Sequence, residues 1–220
     1  MKIIACLPGK NYSNLFLRQW TAFLSYCCQN GIEFTLSQQY SPNIYFSRNM
    51  CLLGDVRNGI NQKPFLGKDY DYILWIDQDI LFTINNFEDL LKLNVDVCAG
   101  IYKMQNGLNF ATVEKWNVKE FNKKGSFDFI TEQDINFRKE MFSVAYTGMG
   151  FMLIKKGVME KLTYPWFKPT FLNFYNAELE NITDFCTEDV SFCLDVQKAG
   201  YQVFVHPNIR VIHEKMIPLS

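Results

Sequence analysis

Two carboxylates separated by one residue, Asp77 and Asp79, close the run DYILWIDQD over residues 71 to 79. The four large apolar residues before them, Ile73 to Ile76, fit a strand buried on both faces of a parallel sheet, where hydrophobicity is continuous rather than alternating. The carboxyl end of such a strand is where ligands bind in open α/β sheets. No Lys or Arg stands beside the pair in this stretch, so desolvating both carboxylates is costly unless a cation meets them. Oxygen ligands in this number suit Mg2+ or Mn2+, which complete their shells with substrate phosphates and water. That gives a metal-phosphate reading. Asp is also a common turn residue, and the pair beginning a loop is the other reading this stretch supports.

Elements that position the pair precede it in a regular order. Ile3 to Leu7 read as a strand stopped by Pro8-Gly9, and Ser13 caps a helix with an apolar face of Leu17, Trp20, Phe23, Leu24 and Cys27, ended by Gly31. Ile32 to Leu36 form a second strand. Ser47 is placed to cap a second helix carrying Met50, Leu53, Val56 and Ile60, which puts Arg48 and Asn49 in its first turn. This strand, helix, strand, helix, strand order predicts a Rossmann-like sheet. No Gly-x-Gly-x-x-Gly follows the first strand and no Gly-x-x-x-x-Gly-Lys-Ser/Thr loop is present, which disfavours dinucleotide and ATPase sites of the usual kinds.

After the carboxylates, Asn85 with Glu88 resembles a capping box opening a short helix through Leu90, Leu91 and Leu93. Val95 to Tyr102 form a strand, paired across an Asn106-Gly107 turn with Leu108 to Val113. Residues 115 to 143 are polar and irregular. A strand follows Gly148-Met149-Gly150, then a helix from about Gly157 to Leu162. Thr187 caps a later helix with Glu188 and Asp189 in its first turn and Gly200 past its end; acidic residues there stabilise a helix with or without chemistry. The last strands lie near Gln202 to Val205 and Ile209 to Ile212. The two histidines, His206 and His213, are an odd spacing apart and face opposite ways in an extended chain, unless Pro207 shifts the register.

Composition bounds the rest. The chain has 220 residues, 48% hydrophobic and 16% aromatic, enough for one well-cored domain. Net charge is −1, with 22 basic against 23 acidic residues and no basic block, so nucleic acid is not an expected partner. The seven cysteines are odd in number and lack a Cys-x-x-Cys pair, which argues for reduced core thiols over a disulfide framework or zinc site. No signal peptide or membrane-length segment is expected, and the location expected is cytoplasmic.

Together these landmarks resemble the GT-A fold of nucleotide-sugar-dependent glycosyltransferases, family-2-like, over most of the chain. The resemblance implies one α/β domain over 1–220: a mixed, mostly parallel sheet flanked by helices, with a small antiparallel second sheet or hairpin, a nucleotide-binding half (1–103) and an acceptor-binding, catalytic half (104–220). Asp77-Gln78-Asp79 looks like the family's Asp-x-Asp motif, and with His213 it implies an Mn2+ (or Mg2+) set of Asp77, Asp79 and His213 against the donor diphosphate, whose leaving charge the metal stabilises. Arg48-Asn49 stands where members carry an Arg-Asn pair. The nucleotide is implied against Pro8, Gly9, Arg48, Asp77, Gln78 and Gly148. Thr187-Glu188-Asp189-Val190 is similar to the x-Glu-Asp motif, making Asp189 the base for the acceptor hydroxyl and Glu188 the fallback. Glycines 148 and 150 let backbone approach a ligand or simply make tight turns. Ser37, Gln38 and Gln39 depart from the pattern, standing where members place an acidic residue for the nucleotide base.

The implied activity is inverting hexosyl transfer from a UDP- or GDP-sugar to a glycan or other hydroxyl acceptor. Aromatics at Tyr164, Trp166, Phe167, Phe171 and Tyr175 offer acceptor stacking, although core packing is the expected use of most of them. Two alternatives remain: a nucleotidyltransferase, which lacks its Gly-rich loop here, and a non-catalytic nucleotide-sugar or glycan-binding protein.

Overall fold

A computed structural model describes residues 1–174 and 182–215. Strand β1 (Lys2–Pro8), helix α1 (Asn14–Gln29), strand β2 (Glu33–Gln39), helix α2 (Ile44–Cys51) and strand β3 (Tyr72–Ile76) open the chain, followed by β4 (Ile80–Leu81), α3 (Ile84–Leu93) and β5 (Val97–Ile101). The polar middle holds β6 (Asn109–Val113), α4 (Val118–Lys124), β7 (Phe129–Thr131), α5 (Glu132–Asn136), β8 (Phe142–Val144) and β9 (Tyr146–Thr147). Then come β10 (Phe151–Lys155), β11 (Thr170–Phe174), β12 (Ile182–Cys186), α6 (Glu188–Lys198), β13 (Val203–Arg210) and β14 (Ile212–His213).

Among the described residues, seven strands form the central sheet in the order β2-β1-β3-β10-β5-β13-β8. β2, β1 and β3 run parallel, as do β5 and β13, while β10 is antiparallel to both of its neighbours and β8 to β13. Small antiparallel sheets pair β11 with β12, β14 with β4, and β6 with β7 and β9. The expected architecture of a mixed, mostly parallel sheet with small antiparallel additions is the one observed.

The continuous apolar runs explain the layering. Alternate residues of one strand enter two separate cores: Ile3, Ala5 and Leu7 join Phe16, Phe23, Phe82 and Phe87 on one face, while Ile4 and Cys6 join Trp75, Trp166, Phe167 and Phe192 on the other. The seven cysteines are all free and six are buried, as read from their number and spacing.

Several local expectations are corrected. Leu17 and Leu24 of α1 point to solvent, the core face being Phe16, Trp20, Phe23 and Cys27. α2 begins at Ile44, so Ser47 is no cap; its hydroxyl accepts from the Ser41 N–H (2.7 Å) and donates to the Ser41 carbonyl (3.2 Å), closing the preceding loop. Arg48 and Asn49 therefore fall in the later part of a short helix, and Val56 and Ile60 lie beyond it, exposed. α3 is capped by Thr83 with Asn86, two residues before the expected Asn85 and Glu88, because Asn86 Oδ1 accepts the Thr83 N–H (2.9 Å) as a Glu would. The Asn106-Gly107 turn closes a short hairpin as expected, with the Met104 N–H donating to the Asn109 carbonyl (2.8 Å) and the Ala111 N–H to the Tyr102 carbonyl (3.0 Å), but the pairing does not extend along β5, and β6 joins a sheet with β7 and β9. Only a 3-10 turn, Met159–Lys161, stands in the helix expected from about Gly157 to Leu162. Tyr175 lies outside the described residues.

Candidate active site

The site assembles where the strand order reverses, at the carboxyl ends of β1 and β3. A cleft of about 240 Å3 there is lined by Pro8, Gly9, Tyr40, Ser41, Pro42, Ile44, Ser47, Asp77, Gln78 and Asp79. A second recess of about 540 Å3 adjoins it through Gln78 and Asp79 and is walled by Asn11, Tyr12, Ser13, Glu214 and Lys215. Pro8, Gly9, Asp77 and Gln78, expected against the nucleotide, all line this cleft; the Tyr40-Ser41-Pro42 wall and Lys215 of the recess were not among the expected residues.

The three residues of the acidic turn do three different things. Asp77 turns inward: its Oδ2 accepts from Arg48 Nη2 at 3.0 Å, and its Oδ1 is buried without a partner. Gln78 reaches back over the loop after β1, its Oε1 accepting the Lys10 N–H (2.9 Å) and the Asn11 N–H (3.3 Å). Asp79 turns outward, its Oδ2 meeting His213 Nε2 at 3.2 Å and Lys215 Nζ at 2.6 Å. Burial works to raise Asp79, but the bonds from His213 and Lys215 outweigh it and bring it down to about 2.

Arg48 is 2% exposed, and it links elements 140 residues apart by donating from Nε to Glu188 Oε1 at 3.0 Å. Burial penalises its charge, but Asp77 and Glu188 outweigh that and raise its pKa. Burial also pushes Asp77 upward, against the attraction of Arg48. Asn49 beside it is buried too, donating to the Phe167 carbonyl at 2.6 Å. The Arg-Asn pair thus braces the acidic turn, the start of α6 and the Trp166-Phe167 segment against one another.

At the start of α6, the Glu188 carboxylate is held by Arg48, while Asp189 Oδ1 accepts from the Val190 N–H (2.8 Å) and from the Thr187 hydroxyl. Burial, with the Glu188 carboxylate beside it, raises Asp189 above the usual carboxylate range, against the bonds from Thr187 and Val190. A carboxyl raised in this way is a stronger base than a free aspartate.

His213 is positioned from three sides. β14 pairs it with Ile80, its Nδ1 lies 2.9 Å from the Lys103 carbonyl, and the Tyr102 ring packs edge-on at 5.1 Å. The Tyr102 hydroxyl accepts the Gly150 N–H at 3.2 Å, and a Cβ on Gly148 would run into that hydroxyl. Gly148, expected against the nucleotide, is buried and makes room for Tyr102.

Whether these groups suit a resident metal ion follows from the same geometry. Asp79 Oδ2 and His213 Nε2 converge as two ligands would, but Asp77 is turned to Arg48 with its second oxygen buried, and no group of three His, Cys, Asp or Glu able to hold a metal exists among the described residues. The Asp79 oxygen that would face a dication already carries the Lys215 ammonium, and two cations on one oxygen repel. The expected set of Asp77, Asp79 and His213 does not fit a resident Mn2+ or Mg2+.

No protein-family description and no curated protein matches this chain. Solved structures do. A197 from STIV aligns over 100% of this chain and 97% of its own, at 16% identity and a TM-score of 0.52. A mutant of Drosophila beta1,4-galactosyltransferase 7, complexed with manganese, UDP-Gal and xylobiose, aligns over 98% of this chain and 71% of its own, at 13% identity and a TM-score of 0.50. The chain has the fold of GT-A glycosyltransferase catalytic domains. Among the described residues no helix is long and apolar enough to cross a membrane.

Proposed function

We propose that this protein is a glycosyltransferase that moves a sugar from a nucleoside-diphosphate donor to an acceptor hydroxyl with inversion. The observation that carries the reading is the Arg48 bridge, which draws the Asp77-Gln78-Asp79 turn and the Glu188-Asp189 pair to one edge of the sheet. The nucleotide lies in the cleft between Pro8-Gly9 and the Tyr40-Ser41-Pro42 wall, where the Tyr40 ring, with Lys10 Nζ 4.6 Å from its centre, is available for a base. Asp77 and Arg48 act as positioning residues for this cleft.

Asp189 takes the proton of the acceptor hydroxyl. The freed oxygen bonds to the anomeric carbon, and the bond from that carbon to the phosphate oxygen breaks, its electron pair leaving with the nucleoside diphosphate. Holding donor, acceptor and base in one orientation supplies much of the acceleration. Glu188, paired with Arg48, is left to hold that guanidinium. The Phe171 and Phe185 rings, 5.6 Å apart and exposed on β11 and β12 just before Asp189, offer an acceptor sugar a stacking surface.

Thermal unfolding against UDP-, GDP-, CDP- and ADP-sugars, each in Mn2+ and in chelator, tests the reading, because a ligand bound only to the native state raises the melting temperature. One nucleotide class is expected to stabilise the protein. No shift with any donor would overturn the proposal and leave a glycan-binding protein on this scaffold as the reading.

A further inference from the structure

Asp79 carries a cation that the chain itself brings. His213 Nδ1 lies 2.9 Å from the Lys103 carbonyl and its Nε2 3.2 Å from Asp79 Oδ2, which fixes the carboxylate from one side. The Lys215 ammonium sits 2.6 Å from that same oxygen. Its place is set by the backbone: β14 ends at His213, and just beyond it the Glu214 N–H donates to the Asp79 carbonyl at 2.7 Å, which keeps the chain alongside the acidic turn. Lys215 also lines the 540 Å3 recess that opens beside Asp79, facing the start of α1, whose first turn carries no acidic residue. Of the other cations, Arg48 is paired with Asp77 and Glu188, and Lys103 and Arg210 with Glu132, while Lys10 lies over the Tyr40 ring of the adjoining cleft.

We propose that the Lys215 ammonium, anchored on Asp79, receives the donor's diphosphate in place of a divalent cation, so that nucleoside diphosphates bind this protein without metal. The inference rests on the glycosyltransferase reading and sharpens it. As the bond to the anomeric carbon breaks, the negative charge gained by the leaving diphosphate falls beside Nζ, a point charge suited to phosphate oxygens. Asp79, itself fixed by His213, holds the ammonium in place, and Lys215 keeps an exposed face from which to reach the ligand.

Titration calorimetry of the full chain with UDP, GDP, CDP and ADP, each in chelator and in Mn2+, separates the possibilities. One diphosphate is expected to bind equally well in both conditions. Lys215→Gln is expected to weaken it about tenfold or more, the loss of one charge-assisted bond, while Lys215→Arg keeps most of the affinity. Because the Lys215–Asp79 pair is more than a third exposed, Lys215→Gln should lower the melting temperature only slightly. Binding that requires Mn2+, or that is unchanged in Lys215→Gln, overturns the role of Lys215 and leaves the donor site standing. No binding in either condition overturns the donor site itself.

Discussion

Gly9 and Gln78 interlock: a Cβ on Gly9 would lie 2.5 Å from Gln78 Oε1 and 2.7 Å from Gln78 Cβ, while that same Oε1 accepts the N–H groups of Lys10 and Asn11. The middle residue of the acidic turn therefore fastens the loop that follows β1 and sets the width of the cleft between them. The Gln78 Cβ is tied to the backbone and cannot swing aside as a side-chain tip would.

Gly9→Ala is accordingly expected to destabilise the protein by about 1–3 kcal/mol, the range for forcing an extra methyl into a packed site. Gln78→Ala removes two hydrogen bonds and costs about 1–2 kcal/mol by itself. The double variant removes the Gln78 Oε1 that the new methyl would meet but keeps the Gln78 Cβ 2.7 Å away, so only part of the clash is relieved and its cost should fall somewhat short of the sum; urea unfolding of the four proteins reads the coupling directly. Strict additivity would mean that the two residues do not constrain each other.

Arg48 tests whether the buried charges bind the two halves of the site together. Replacing it with Met leaves Asp77 and Glu188 without their cation, and breaking a buried ion pair from one side costs about 3–5 kcal/mol. Neutralising both partners in an Arg48→Met, Asp77→Asn, Glu188→Gln variant should recover much of that stability while nucleotide affinity stays low, because the cleft loses its brace. Denaturant midpoints and nucleotide titration separate the two effects. Equal stability of the single and triple variants would show that the network carries little.

How much of this was legible in the sequence differs by element. The strands were, because Ile73 to Ile76 and Val97 to Ile101 are apolar on both faces whatever their neighbours are. The direction of β10 was not: Phe151 to Ile154 gives the same buried pattern parallel or antiparallel, and only tertiary pairing with β3 and β5 decides it. Helix starts were misplaced where a hydroxyl had another use, as with Ser47 on the Ser41 backbone, or where Asn86 replaced the usual Glu. The acidic turn, Asp189 and His213 were readable as residue types, yet that Asp77 would face Arg48 and Asp79 would face outward depends on packing across 140 residues. That Lys215 would meet Asp79 depends likewise on tertiary pairing, the Glu214 N–H reaching the Asp79 carbonyl.

Asp189 separates stability from activity. Its pKa is raised in the folded protein, so the native state holds this proton more tightly than the unfolded chain does. Its contribution to stability is therefore full below the unfolded value of about 3.9 and is lost as pH rises through the folded value. Above that folded value the ionised carboxylate costs the fold stability. Asp189→Asn, neutral at every pH, should raise the melting temperature at neutral pH by about 2–4 °C for each kcal/mol relieved, an advantage that shrinks as pH falls toward 4. The same variant should lose about 10²–10⁴-fold in turnover while donor binding persists. In the unsubstituted protein, kcat/KM should rise with pH through a limb placed above the usual Asp value, since only the ionised carboxylate accepts the hydroxyl proton. Turnover that survives the substitution would remove Asp189 from the mechanism, and a lowered melting temperature would show that its bonds to Val190 and Thr187 outweigh the cost of its buried charge.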